Sequence, residues 1–267
     1  MTARPILRCD FETRSTVELR TRGVYVYAAS PTTDVWCMGY AFGDGDVQLW
    51  RRGEPCPPEV AEHVLAGGEM RAFNAAFERI IWRDVMGRRY GWPVPRTDQW
   101  RCTMVQGMAM ALPGSLENMA PALGLDVVKD MAGKRLSLQM ARPRAPRKGD
   151  PPDLIRWWDE PDKLERLYAY CRQDVTVERE VDRRTLPLSP TEQRLWVLDQ
   201  EINDRGVFID QRLCHAARTL VAKVTDALDE EMRAVTDGAI GRCSNAAELT
   251  TWVRAHGIDA DSIRKDA

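Results

Sequence analysis

The most constraining stretch of the chain is Ile6-Leu7-Arg8-Cys9-Asp10-Phe11-Glu12-Thr13, a short apolar run that ends in two carboxylates two residues apart. In a strand, residues i and i+2 point to one face, so Asp10 and Glu12 stand side by side at the strand's end and Phe11 turns to the opposite face. Two carboxylates that close repel, and one stays protonated unless a cation lies between them. Divalent ions bound through carboxylate and water are the usual remedy. Asp-x-Glu is also a common way for a strand to run out into a polar turn, so this stretch alone does not decide between the two.

Two later stretches do more. Residues 72–85 read Ala-Phe-Asn-Ala-Ala-Phe-Glu-Arg-Ile-Ile-Trp-Arg-Asp-Val, and residues 167–177 read Leu-Tyr-Ala-Tyr-Cys-Arg-Gln-Asp-Val-Thr-Val. Tyr170 and Asp174 are four apart and share one face of a helix. Asp10-x-Glu12, Asn74-x-x-Phe77-Glu78 and Tyr170-x-x-x-Asp174, in that order and at those gaps, resemble the three signature motifs of the DEDD 3′–5′ exonuclease superfamily, tyrosine subtype. Within it, the chain looks like the proofreading domain of phage-type family A DNA polymerases. The run Glu201-Ile202-Asn203-Asp204-Arg205-Gly206-Val207-Phe208-Ile209-Asp210 resembles the entry into the polymerase domain of such enzymes. No palm-type carboxylate motif or fingers helix follows, so polymerase activity is not expected of this chain alone.

The resemblance implies an α/β, ribonuclease-H-like fold: a mixed five-stranded sheet flanked by helices over residues 1–187, then a small all-α extension over 188–267. It implies two divalent metal ions, Mg²⁺ or Mn²⁺, about 4 Å apart, which activate a water and assist the leaving 3′ oxygen. Asp10 would bridge them, with Glu12 and Asp174 completing the site that generates hydroxide. Glu78 would hold the second ion through water, and the phenol of Tyr170 would orient the attacking water. Phe11, Thr13 and Asn74 are candidates to touch the substrate, a single-stranded or frayed 3′ end of DNA. Glu78 departs from the family pattern, which carries Asp there; the longer arm can still reach a metal-bound water or can shift the second ion. The alternative is a non-catalytic module of a split polymerase that binds DNA or docks a separately encoded polymerase domain.

The balance of 38 basic against 40 acidic residues, net −2, is not that of a module whose affinity for DNA rests on charge alone. The seven cysteines are scattered, with no Cys-x-x-Cys, which suggests neither a zinc site nor a disulfide framework and fits reduced thiols in a cytoplasm. No signal peptide or run of membrane-spanning length is seen, so no membrane partner is expected. Strands are expected at 6–13, 35–42, 47–50, 71–73 and 99–102, and helices at 57–65, 75–86, 116–123, 162–185, 191–203 and 211–236, with a last helix capped by Asn245. Asn74 and Ser115 are N-cap candidates, and His63 reads as a surface residue of its helix. Residues 133–149 carry six basic side chains and no acid, which reads as a loop, either merely solvated or touching the DNA backbone through Arg142, Arg144, Arg147 and Lys148.

Overall fold

The computed structural model describes residues 4–127, 129–147, 149–151, 153–259 and 263. Strands β1 (Leu7–Arg14), β2 (Asp34–Phe42) and β3 (Gln48–Arg51) form an antiparallel meander. Strands β4 (Met70–Ala72) and β5 (Trp100–Cys102) add to the other side of β1, both in the parallel sense, giving the order β3-β2-β1-β4-β5. This mixed sheet with its flanking helices is of the ribonuclease-H-like type. β2 is buried along almost its whole length, as a strand covered on both faces must be.

The helices of the sheet-containing part are α1 (Leu19–Ala29, kinked at Gly23), α2 (Pro58–Leu65), α3 (Ala75–Ile81), α4 (Arg88–Tyr90), α5 (Thr103–Ala109), α6 (Leu116–Ala122), α7 (Met131–Met140), α8 (Pro161–Arg184) and α9 (Pro190–Arg205). Between α3 and α4 the helix widens to π-type turns over Trp82–Gly87. Asn74 and Ser115 sit at the N-cap positions of α3 and α6, yet neither side chain makes a capping hydrogen bond. His63 is buried rather than exposed. Its ring lies edge-on to Phe42, and its Nε2 is 3.0 Å from the carbonyl of Glu69, because short α2 folds down onto the sheet.

The alternation of β1 sorts the layers. Leu7, Cys9 and Phe11 join Ile80, Ile81, Trp82 and Trp100 in the larger apolar cluster on the α3 side. Arg8, Asp10 and Glu12 point to the other side, where α8 lies. Gly39 of β2, paired with Asp10, lets α8 approach: a Cβ there would meet the Cys171 carbonyl and Val175 Cγ2 at 3.1 Å.

The expected basic loop is replaced in its first half by α7. Asp130 caps this helix by accepting from the amides of Ala132 and Gly133. Leu136 and Met140 pack with Trp36, Leu167 and Tyr170. Gly133, which made the stretch look unstructured, is needed for contact: a Cβ would lie 2.4 Å from the Tyr170 ring.

The chain forms two compact units, Met1–Arg205 and Gly206–Ala267. The boundary expected after residue 187 therefore falls inside the first unit. Trp196 of α9 joins the larger core, and Arg79, 3% exposed, is clasped by both oxygens of Asp204 at 2.6 and 2.9 Å. In the second unit Asp210 and Asn245 cap α10 (Gln211–Val235) and α11 (Ala246–Ala255) through side-chain hydrogen bonds, the second as expected. Removing one partner of a buried ion pair costs roughly 3–5 kcal/mol. A chain cut after residue 205 should keep its cooperative unfolding, whereas one cut after residue 187 should lose several kcal/mol or fail to fold; urea denaturation of the two checks this.

Candidate metal-binding site

Central β1 and long α8 carry the site. Tyr170, Asp174, Glu178 and Asp182 recur every four residues, so they share the α8 face that meets Arg8, Asp10 and Glu12. Oxygens of Asp10, Glu12 and Asp174 lie within 4.8 Å of one another. Below them Arg8 is held by Asp182 at 2.5 Å and Glu178 at 3.5 Å, which fixes the register of helix on strand. A β-bulge between Glu12 and Thr13 breaks the pairing with β2 at the edge of the cluster, a common device for re-aiming side chains.

The electrostatics follow from burial and crowding. Burial first, then the charge of Asp174, pushes the Asp10 carboxyl up to about 7. Burial and Asp10 push Glu12 well above the usual range, although Ser137 donates a 2.6 Å hydrogen bond to its Oε2. One Asp174 oxygen, Oδ1, is buried without a hydrogen-bond partner; the other accepts from Lys129 Nζ at 2.7 Å. Burial, then Asp174 and Glu12, raise the Tyr170 phenol, so it stays protonated beside them. The donor set is all carboxylate oxygen, under-neutralised and with an oxygen to spare, which suits a hard cation. The cluster could therefore hold a metal ion.

Glu78 is not part of this group of three. It comes from the opposite layer, in the first turns of α3. β4 pairs with β1 only at Leu7 and Arg8, leaving the Asp10 end of β1 open on that side. Glu78 is buried, its Oε2 has no hydrogen-bond partner, and burial followed by the charge of Asp10 raises its pKa.

The remaining expected residues divide. Thr13 shares a 2.8 Å hydrogen bond with Tyr27 and lines a cleft of about 180 Å³ beside Glu12, walled by Val17, Leu19, Ser137 and Leu138. Arg142 lines it too, in an exposed ion pair with Glu18 at 2.6 Å. Phe11 is buried on the other face of β1, edge-on to Trp82, and does not reach the cleft. Asn74 is exposed. Arg144 and Arg147 are already paired, with Asp150 at 2.7 Å and Glu160 at 3.0 Å. Lys148 lies outside the described residues. Sequence reasoning missed Ser137 and Lys129; Asp130, a capping residue one position after Lys129, was the available signal that a helix begins there.

Among known proteins, the chain is similar to the DNA polymerase of Bacillus phage SP02, with 34% identity over 266 residues. The match takes in 97% of this chain and 40% of that polymerase. It is therefore a polymerase-related sequence, spanning well under half the length of that relative. No family model matches it. Among the described residues no helix is long and apolar enough to cross a membrane.

An acid with a raised folded pKa keeps its proton in the folded chain after the unfolded chain has lost it. Between about pH 4 and about pH 7, Asp10 thus makes folding less favourable as pH rises. A divalent ion displaces that proton, so the rise in melting temperature caused by Mn²⁺ should grow from about pH 6 to about pH 8. Asp10→Asn should melt a few degrees higher than wild type without metal at the upper pH and lose the Mn²⁺ effect. Calorimetry across pH checks both.

Proposed function

We propose that the chain is a metal-dependent 3′–5′ DNA exonuclease of the proofreading type, the exonuclease part of a family A polymerase. The observation that carries this reading is the convergence of Asp10, Glu12 and Asp174, drawn from two of the three motifs, with Tyr170 beside them. The similarity to a phage DNA polymerase supports the same reading. Asp10, Glu12 and Asp174 would hold Mg²⁺ or Mn²⁺, with Glu78 reaching in from α3. Bound there, such ions supply an activated water and charge compensation at phosphorus.

The chain's own residues do the rest. The Tyr170 phenol, held protonated, can donate to the oxygen of the attacking water and fix its direction. Ser137 orients the Glu12 carboxylate. The cleft beside Glu12, with apolar walls of Val17 and Leu19 and the hydroxyl of Thr13, takes the terminal nucleotide of a frayed strand. Arg142, exposed on that cleft, is the basic side chain best placed for its phosphates. Arg144 and Arg147 hold the following segment together through their carboxylate partners.

The second unit we assign to docking further polymerase sequence, joined or separately encoded. Leu213, Leu220, Val224 and Leu228 form a stripe along α10 and are all exposed, Leu213 at 66%. A helix with an apolar face of this kind is ordinarily covered.

With Mg²⁺ or Mn²⁺, a 5′-labelled single strand should shorten stepwise from its 3′ end. Asp10→Asn and Asp174→Asn should lose activity by at least about 10³-fold, and Tyr170→Phe by less, about 10²-fold or under. Release of the 5′ label as mononucleotide would contradict the polarity. A folded, metal-bound wild type that releases nothing would favour the non-catalytic docking module.

In DNA binding, Arg142→Ala should lower the slope of log affinity against log salt by roughly one. Arg144→Ala should leave the slope unchanged, since that side chain is largely buried against Asp150, whereas the Arg142 pair with Glu18 lies open to solvent. Titrations at several salt concentrations separate the two.

A further inference from the structure

We infer that Lys129 is the phosphate-binding cation of this site, parked on Asp174 while the carboxylates carry no metal and transferred to the substrate's phosphate when they do. This rests on the exonuclease reading above and adds a residue that its three motifs do not contain.

Three observations carry it. Lys129 Nζ lies 2.7 Å from Asp174 Oδ2 and 5.3 Å from the centre of the Tyr170 ring, with its side chain 17% exposed. Among the described residues, no other cation is within ion-pair distance of Asp10, Glu12 or Asp174. Its backbone is anchored by its neighbour, since Asp130 caps α7 and also pairs with Arg166 of α8. Asp130 thus ties this point of the chain to both α7 and α8 while the long side chain reaches in.

The contrast with Arg8 shows which cation can move. Arg8 is locked between Glu178 and Asp182 beneath the cluster. Among the described residues Lys129 has one ion-pair partner, Asp174, and it has a flexible four-carbon stem with a compact charge at its tip. One ammonium cannot balance three carboxylates once divalent ions displace the protons that Asp10 and Glu12 keep, so the cluster still has charge to offer such ions. Once they are held, they and the ammonium compete for Asp174 Oδ2, and like charges repel. The anion then left within reach of Lys129 is the phosphate under attack.

A fixed positive charge there stabilises the negative charge that builds on the phosphoryl oxygens. Lys129 keeps its own proton throughout. The water oxygen bonds to phosphorus as the P–O3′ bond breaks. One water proton ends on the departing O3′, and the other leaves the new phosphate monoester to solvent.

The test uses the full chain and two variants, Lys129→Met and Lys129→Arg, with two readouts. Without DNA, Mn²⁺ binding followed by electron paramagnetic resonance should tighten about tenfold in Lys129→Met, because the competitor for Asp174 is gone. With a 5′-labelled single strand at saturating Mn²⁺, kcat should fall about 10²-fold in Lys129→Met and recover most of the loss in Lys129→Arg. Should Lys129→Met not fold, Lys129→Gln, which keeps a hydrogen-bond donor to Asp174 without the charge, takes its place under the same readouts. Unchanged or weaker Mn²⁺ binding overturns the parked-cation role. A wild type that hydrolyses DNA, with the neutral variant equally fast at saturating metal, overturns the phosphate role while leaving the exonuclease reading intact. A wild type that hydrolyses nothing removes that reading, and this proposal with it.

Discussion

Asp10, Glu12 and Asp174 repel one another where burial leaves little water to screen them, and the surrounding fold is arranged to hold them there. β1 cannot drift, because it is paired on both sides. Asp10 sits opposite Gly39, the one residue type that lets α8 come down onto the sheet at that point. α8 cannot rotate without breaking the contacts of Arg8 with Glu178 and Asp182, groups that are themselves buried. Electrostatic strain at the cluster is thus compensated one and two helical turns further along. Local unfavourable arrangements of this kind persist only where neighbouring structure over-determines them, and they concentrate at functional sites.

Much of this was legible in the sequence because it is local. The apolar runs at 35–42 and 47–50, separated by Gly43-Asp44-Gly45-Asp46, mark two strands and the turn between them. Asp10 and Glu12 share a face by strand period, and Tyr170 and Asp174 by helix period. The same alternation placed Phe11 on the opposite face, and the structure buries it against Trp82. α7 was hidden because Gly133 and a run of basic residues mimic a loop, while the reason for the glycine, the ring of Tyr170, lies on another helix. Lys129 and Ser137 were hidden for the same reason. Their partners are 45 and 125 residues away, and no period connects them. The pairing of Arg144 and Arg147 with acids just outside the basic run was also invisible to a count of charges within it.

Glu78 lies on α3, in the far layer, where the charge of Asp10 still helps to raise its pKa, whereas Glu12 and Asp174 meet Asp10 on the α8 side. The three grouped carboxylates thus lie on the α8 side of the sheet, with Glu78 on the α3 side near enough to feel the charge of Asp10. Arg79, buried one residue after Glu78 and clasped by Asp204, ties α3 to α9, so the helix at the end of the first unit also steadies the second motif. The likeness to a phage DNA polymerase extends along nearly the whole chain. It thus covers these supporting elements as well as the motifs.

Binding of divalent cations by the Asp10–Glu12–Asp174 cluster of the folded chain is central to the proposed chemistry. Crystals soaked in Mn²⁺ and measured for anomalous scattering test it directly. Anomalous density is expected among the oxygens of these three side chains, with the Lys129 ammonium moved off Asp174. Density confined to surface carboxylates, with Lys129 still bound to Asp174, would contradict it.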